Sequence, residues 1–126
     1  MGKKKVMIFD DEEDFLEITK VNLEEAGGYD VLTFSNAKDI IAEVHRFEPD
    51  IILLDIRMPE VDGIDACQML NNDSIGSHIP VIIVSALSKR EDKVIAYKKG
   101  VAGYLVKPIE EKDLIAKIEE ALRGFE

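Results

Sequence analysis

The chain has 126 residues and a formal net charge of -10, with 46% hydrophobic and 33% charged side chains. This length fits one domain, and the composition is that of a chain that folds rather than of a disordered segment. The negative charge disfavours direct binding to nucleic acid or to an anionic membrane surface, and no apolar run reaches the roughly 18 residues that a membrane span needs.

Apolar runs of strand length alternate five times with longer amphipathic stretches, a pattern typical of βα units on a parallel sheet. The predicted strands are residues 6–9, 29–34, 51–54, 81–84 and 103–106. The first helix is predicted to follow Asp14 and to end at Gly27 and Gly28, and the last to end at Gly124. Three less regular helices are predicted at residues 36–46, 64–71 and 89–99. Right-handed crossovers then give a doubly wound parallel sheet, whose site lies beyond the carboxyl ends of its strands.

The single cysteine, Cys67, cannot form an internal disulfide or a thiolate metal cage, so we expect it to pack in the core. Residues 1–5 lead directly into the first strand, without the apolar region of a signal peptide. These features predict a cytoplasmic protein that forms a single domain over residues 1–126.

Residues that could form a functional site follow the predicted strands. They are Asp10 and Asp11, then Ser35, Asp55, Ser85 with Ala86, and Lys107 with Pro108. Like charges about 4 Å apart repel by roughly 4 kcal/mol at an effective dielectric of 20, so the clustered carboxylates need a counter-cation. Lys107 can supply one positive charge, and a hard divalent ion such as magnesium can supply two. Carboxylates, magnesium and a lysine together indicate phosphoryl transfer.

Each of these residues alone also has an ordinary structural explanation. Acidic residues at a helix start, here Glu12, Glu13 and Asp14, favourably meet the positive end of the helix dipole. Asp55 alone fits a turn, and Ser85 alone fits a helix N-cap. The joint pattern favours a site, because each residue occupies the carboxyl end of a different strand.

The ordered set of Asp10-Asp11, the segment DIRMP at residues 55–59 with Asp62-Gly63, Ser85-Ala86 and Lys107-Pro108 resembles a bacterial response-regulator receiver domain over essentially the whole chain. The resemblance implies a flavodoxin-like, five-stranded sheet with strand order 2-1-3-4-5 and five helices in a three-layer sandwich. It implies that Asp55 is the phosphoacceptor, which takes a phosphoryl group from a phosphohistidine of a sensor histidine kinase, from a histidine phosphotransfer protein or from a small phosphodonor.

The resemblance further implies the roles of the surrounding residues. Asp11, Asp55 and the backbone carbonyl of Arg57 ligate Mg²⁺, for which Mn²⁺ can substitute, while Asp10 acts mainly through a bound water. Lys107 and the hydroxyl of Ser85 contact phosphoryl oxygens, the small Ala86 leaves room for the group, and the Lys107-Pro108 bond is a candidate cis peptide. Tyr104 matches an aromatic switch position: Ser85 moves toward the phosphoryl group and the ring fills the vacated space, which alters the surface of the fourth helix, fifth strand and last helix.

As partners, the resemblance implies a kinase or phosphotransfer protein and either a downstream protein target or a fused output domain. It also implies slow autodephosphorylation, and either a monomer or a phosphorylation-dependent dimer. Such a domain catalyses its own phosphorylation and dephosphorylation and is not a conventional enzyme.

Three other classes fit the residues less well. An aspartate-nucleophile phosphatase carries a second acid two residues after the nucleophile, where this chain has Arg57. A flavodoxin-like cofactor binder needs a hydroxyl- and glycine-rich phosphate loop after the first strand, where this chain has carboxylates. A pseudo-receiver would lack chemical residues that are all present. His45 and His78 lie outside the cluster and are predicted to have surface or packing roles.

Overall fold

Five parallel strands form a single sheet in the computed structural model, which describes residues 2–124. The strands are β1 (Lys5–Phe9), β2 (Asp30–Phe34), β3 (Ile51–Leu54), β4 (Val81–Ser85) and β5 (Gly103–Val106). Their spatial order is β2-β1-β3-β4-β5, which confirms the predicted flavodoxin-like order and makes β3 the central strand. Residues 1, 125 and 126 of the predicted domain lie outside the described part of the chain.

Five helices of the described residues cover the two faces of the sheet. They are α1 (Glu13–Ala26), α2 (Ile40–Phe47), α3 (Gly63–Asn71), α4 (Arg90–Lys98) and α5 (Glu111–Gly124), with a 3₁₀ turn at Gly76–His78 before β4. Buried side chains of α1 and α5 pack on one face, and those of α2, α3 and α4 pack on the other. The predicted three-layer sandwich is therefore confirmed. None of the described helices is both long enough and apolar enough to span a membrane.

Strands β1 and β3 are buried on both sides, as expected of central strands in a parallel sheet. Successive residues of β3 alternate between the two cores, with Ile52 and Leu54 on the face of α2 and α3, and Ile51 and Leu53 on the face of α1 and α5. Each of these side chains is fully buried, which stabilises the fold by roughly 1.5–3 kcal/mol per side chain. Asp55, which follows Leu54, is therefore held in a fixed place at the end of β3.

The helix ends show where local hydrogen bonds override periodicity. Helix α2 begins at Ile40 rather than at the predicted residue 36, because the side chain of Asn36 accepts the Lys38 N–H and holds the chain in a turn. Helix α1 ends as predicted, at the glycine pair. Gly28 has a φ of +68°, a left-handed conformation that glycine adopts without steric cost.

Cys67 lies in α3 and is buried in the core, as predicted. Burial raises the pKa of its thiol to about 12. A thiol with so high a pKa is almost entirely protonated near neutral pH, so Cys67 acts as a packing residue rather than as a nucleophile.

Candidate functional site

The carboxyl ends of the strands are held in line by backbone hydrogen bonds that continue the sheet by one residue. The Asp10 N–H donates to the Phe34 carbonyl at 3.0 Å, and the Asp55 N–H donates to the Phe9 carbonyl at 3.0 Å. Asp10 and Asp55 therefore leave adjacent strands at the same level. This arrangement follows directly from the parallel order of β2, β1 and β3.

The turn after β3 is closed by Gly63, the first residue of α3. Its N–H donates to the Ile56 carbonyl at 2.7 Å. A Cβ atom at this position would collide with the Asp55 carbonyl oxygen and would lie 2.8 Å from Cα of Ile56. Only glycine therefore lets α3 begin this close to the backbone of Asp55.

Three carboxylates converge at this edge of the sheet. One oxygen from each of Asp10, Asp11 and Asp55 lies within 4.8 Å of the other two. Asp10 is 1% exposed and Asp55 is 6% exposed, whereas Asp11 faces solvent. Two oxygens bound to one magnesium ion lie at most about 4.2 Å apart, so small side-chain adjustments would let this hard-oxygen set hold a divalent ion. The predicted acidic cluster is thus present, and its donors fit a metal ion.

Lys107, directly after β5, reaches into the cluster. Its Nζ lies 2.7 Å from Asp10 Oδ2, 2.6 Å from Glu12 Oε1 and 3.4 Å from Asp55 Oδ2. The backbone N–H of Lys107 donates to the Ser85 carbonyl at 2.9 Å, which fixes the base of the side chain on β4. One ammonium group therefore serves three carboxylates at the end of the sheet.

Burial and pairing act against each other on these charges. Burial raises the pKa of Asp10, and the hydrogen bonds from Lys107 and from the Glu12 N–H lower it, so the pKa remains above its ordinary value. Burial lowers the pKa of Lys107, but the hydrogen bonds to Asp10 and Glu12 outweigh it and leave this pKa above its ordinary value. Lys107 is accordingly a permanent cation near neutral pH.

Ser85 and Tyr104 both contact the loop after β4. Ser85 is the last residue of β4 rather than the first residue after it, and its Oγ accepts the Leu87 N–H at 3.2 Å. The hydroxyl of Tyr104 donates to the Leu87 carbonyl at 2.7 Å. The Tyr104 ring is buried, and this burial raises its pKa. The two predicted switch residues are thus joined through one loop residue.

The remaining predicted site residues lie around the cluster. Ala86 is exposed beside Lys107 and Pro108, and the Lys107-Pro108 peptide bond is cis. The side chain of Arg57 is exposed in the turn after β3. The role of its backbone carbonyl as a metal ligand stays a prediction.

The structure adds two residues that sequence reasoning did not place in the site. Glu12, interpreted from sequence as a helix-start residue, also forms the ion pair with Lys107. The Phe15 ring lies under the same ammonium, with its centroid 4.4 Å from Nζ. Their position could have indicated a place in the site, because Glu12 and Phe15 follow the acidic pair closely, at the start of α1.

Both histidines lie outside the cluster, as predicted. His45 on α2 pairs with Asp73 at 2.8 Å, and His78 is exposed in the 3₁₀ turn. Asp73 also accepts the backbone N–H groups of Ile75 and Gly76. These hydrogen bonds, that of Gly76 first and that of His45 next, lower the pKa of Asp73.

The doubly wound sheet thus gathers three aspartates and a lysine at its carboxyl edge. A sequence profile described as the response regulator receiver domain matches residues 6–119. The chain therefore belongs to the response regulator receiver domain family, whose members act in two-component signalling.

Individual relatives agree with this assignment. The chain is 32% identical over 123 residues to the alkaline phosphatase synthesis transcriptional regulatory protein PhoP of Bacillus subtilis, and the match covers 98% of this chain and 50% of that protein. It is 34% identical over 119 residues to the DNA-binding dual master transcriptional regulator RpaA of Synechocystis sp., with 94% and 49% covered. This chain thus spans about half the length of these two relatives.

A solved structure gives the same result at the level of the fold. The receiver domain of the Francisella response regulator 1452 superposes with a TM-score of 0.89 and 30% sequence identity, covering 98% of this chain and all (100%) of that one.

Proposed function

We propose that this chain is a phosphorylation-activated switch in which Asp55 accepts a phosphoryl group from a histidine kinase or a histidine phosphotransfer protein. The observation that carries the proposal is the position of Asp55. Its carboxylate is almost buried at the end of the central strand, within 4.8 Å of two other aspartate carboxylates and 3.4 Å from Lys107 Nζ. These groups come from three different strand ends and converge at one point.

In the proposed step, a carboxylate oxygen of Asp55 attacks the phosphorus atom of the donor. A new O–P bond forms, the P–N bond to the donor imidazole breaks, and the bonding electron pair stays on the imidazole nitrogen. The reaction brings the carboxylate and the phosphoryl oxygens, all negatively charged, into contact. The fixed ammonium of Lys107 offsets that charge without transferring a proton, and a largely buried setting strengthens the effect.

The same proposal assigns a magnesium ion to the acidic cluster. Asp11, Asp55 and the Arg57 backbone carbonyl would hold it, with Asp10 acting through a water, and Mn²⁺ would substitute. When bound, the ion supplies two positive charges that offset the clustered carboxylates and the phosphoryl oxygens. Asp10 is already oriented for this role, because Lys107 and the Glu12 N–H each occupy one of its oxygens.

The residues around Leu87 connect phosphorylation of Asp55 to the output surface in this proposal. Ser85 moves toward the phosphoryl group and gives up the Leu87 N–H, which frees the loop that also holds the Tyr104 hydroxyl. The change then reaches the surface formed by α4, β5 and α5. The exposed side chains of Val94, Ile95 and Tyr97 on α4 support a partner-binding role for this surface. Slow attack of water on the acyl phosphate returns the domain to its starting state.

The two transcriptional relatives, each about twice the length of this chain, support a fused output domain or a separate protein target as the recipient of the signal. With a net charge of -10 this domain is itself poorly suited to contact DNA. We place it in the cytoplasm, as a monomer or a phosphorylation-dependent dimer.

Incubation with acetyl phosphate and Mg²⁺, followed by intact-mass measurement, tests the assignment. The unaltered protein should gain one phosphoryl group, and Asp55→Asn should gain none. Asp65→Asn is the matched control, because Asp65 is an exposed aspartate on the neighbouring helix α3 and should leave labelling unchanged. Labelling of Asp55→Asn would refute the assignment of the phosphoacceptor.

A further inference from the structure

The Lys107 ammonium lies within hydrogen-bond distance of three acidic groups. The acceptors are Asp10 at 2.7 Å, Glu12 at 2.6 Å and Asp55 at 3.4 Å. The two shorter contacts draw Nζ away from Asp55, which is the residue proposed to carry the phosphoryl group. A phosphoryl oxygen on Asp55 must therefore compete with Asp10 and Glu12 for the position of the ammonium.

The two short contacts differ in how easily they break. Asp10 is 1% exposed, so a released Asp10 carboxylate would lose a charge-assisted hydrogen bond in the protein interior, where bulk water does not replace it. The Glu12 side chain is 63% exposed, so a released Glu12 carboxylate is immediately hydrated. Glu12 is therefore the partner that gives way.

The start of α1 is built so that Glu12 meets Lys107 rather than its own helix. Glu12 occupies the N-cap position, yet its side chain makes no capping hydrogen bond to the first turn. Its backbone N–H instead donates to Asp10 Oδ1 at 2.9 Å, and its carboxylate extends to the ammonium. Phe15, three residues later, places its ring against the same ammonium. The start of α1 thus supplies two contacts to the Lys107 ammonium.

We propose that Glu12 is a positioning residue that competes with the incoming phosphoryl group for Lys107 and thereby slows phosphoryl capture by Asp55. This inference rests on the proposed function of Asp55. In the reaction with acetyl phosphate, an Asp55 oxygen bonds to phosphorus and acetate leaves with the electron pair of the broken P–O bond. The Glu12 carboxylate exchanges Lys107 for water during this step and takes up no proton.

Glu12→Gln tests the proposal, because it keeps the size of the side chain and removes the charge that makes the hydrogen bond strong. Glu13→Gln is the matched control. Glu13 is the next residue and is also exposed, but it has no ion pair with Lys107 in the described structure. Its replacement by glutamine removes the same charge as Glu12→Gln does. We expect Glu12→Gln to raise the rate of phosphorylation by acetyl phosphate about twofold to fivefold, the upper part of the range that an ion pair with one exposed partner allows. Glu13→Gln should change it by less than about twofold.

Two further readouts separate positioning of Lys107 from a general structural effect. The affinity for beryllofluoride with Mg²⁺, a stable mimic of the phosphorylated state, should rise in Glu12→Gln by a factor similar to that of the rate. In a Lys107→Met background, Glu12→Gln should have no effect on beryllofluoride affinity, because the group through which it acts is gone. Thermal midpoints measured alongside check that each variant is folded.

Equal rates for Glu12→Gln and Glu13→Gln, a slower Glu12→Gln, or a Glu12→Gln effect that persists in the Lys107→Met background would each overturn the role of Glu12. These failures leave the proposed function standing as long as the unaltered protein is phosphorylated at Asp55. An unaltered protein that acquires no phosphoryl group, or that acquires it elsewhere, would overturn both.

Discussion

Replacing Asp11 with asparagine removes one charge from the acidic cluster and keeps the shape of the side chain. One Asp11 oxygen lies within 4.8 Å of oxygens of both Asp10 and Asp55. At that separation a pair of like charges repels by about 0.9 kcal/mol in water and by about 3.5 kcal/mol at an effective dielectric of 20. Asp11 faces solvent, so the lower figure applies to each pair, and attraction to Lys107 offsets part of the sum. The metal-free fold should gain about 1 kcal/mol, or roughly 3–5 °C in Tm.

Magnesium should reverse this order of stability. At ten times its dissociation constant, an ion that binds only the folded state stabilises it by about 1.4 kcal/mol. The unaltered protein should show that gain, whereas Asp11→Asn, which has lost a ligand, should respond little. Thermal unfolding followed by circular dichroism, with Mg²⁺ titrated at constant ionic strength, measures both effects.

Asp14→Asn is the control for this experiment, because Asp14 is an exposed acid in the first turn of α1 and is not one of the three residues of the cluster. It should retain the full magnesium response. Equal magnesium shifts in Asp11→Asn and the unaltered protein would refute the reasoning, as would a metal-free Asp11→Asn that is less stable than the unaltered protein.

Two further predictions concern the frame around the site. Gly63→Ala should destabilise the fold by at least about 2 kcal/mol in urea unfolding and should slow phosphorylation, because the new methyl group displaces the Asp55 backbone. Gly124→Ala is the control, since Gly124 has open space around it, and it should have neither effect. Hydrogen bonds from backbone N–H groups and from His45 lower the pKa of Asp73 in the folded state. The carboxylate therefore stabilises the fold at pH values above its unfolded-state pKa of about 3.9, and this stabilisation is lost as the pH falls through its folded-state pKa. The stability difference between the unaltered protein and Asp73→Asn should therefore narrow as the pH falls below about 4. A difference that widens in that range would contradict this sign.

Most of the fold could be predicted from the sequence because the inner strands β1, β3 and β4 are almost entirely buried. Strands β3 and β5 have the predicted bounds, and solid apolar runs bounded by turn residues leave few alternatives. The start of α2 was predicted too early, since periodicity does not reveal that the Asn36 side chain takes up a backbone N–H in a local turn. Local hydrogen bonding, rather than hydrophobicity, determined that boundary.

The convergence of the acidic pair, Asp55 and Lys107 could be predicted for a topological reason: parallel strands present their carboxyl ends at one edge. The ion pair between Glu12 and Lys107 could not, because a helix-start glutamate has a sufficient explanation in the helix dipole and its partner lies 95 residues away. Which of several nearby acids a lysine contacts depends on side-chain geometry that spacing along the chain does not encode.

The long chain separation within the site also bears on how the protein is made. Asp10 and Lys107 are 97 residues apart, and β5 is the last of the five strands of this sheet to be synthesised. A nascent chain that has emerged only as far as β4 contains all three aspartates and none of the ammonium charge that compensates them. Closure of so long a loop has an entropic cost that must be met before the pair can form. If Asp55 takes up the phosphoryl group as proposed, we expect that competence to arise only after β5 has been synthesised, and fragments cut before β5 should be inert.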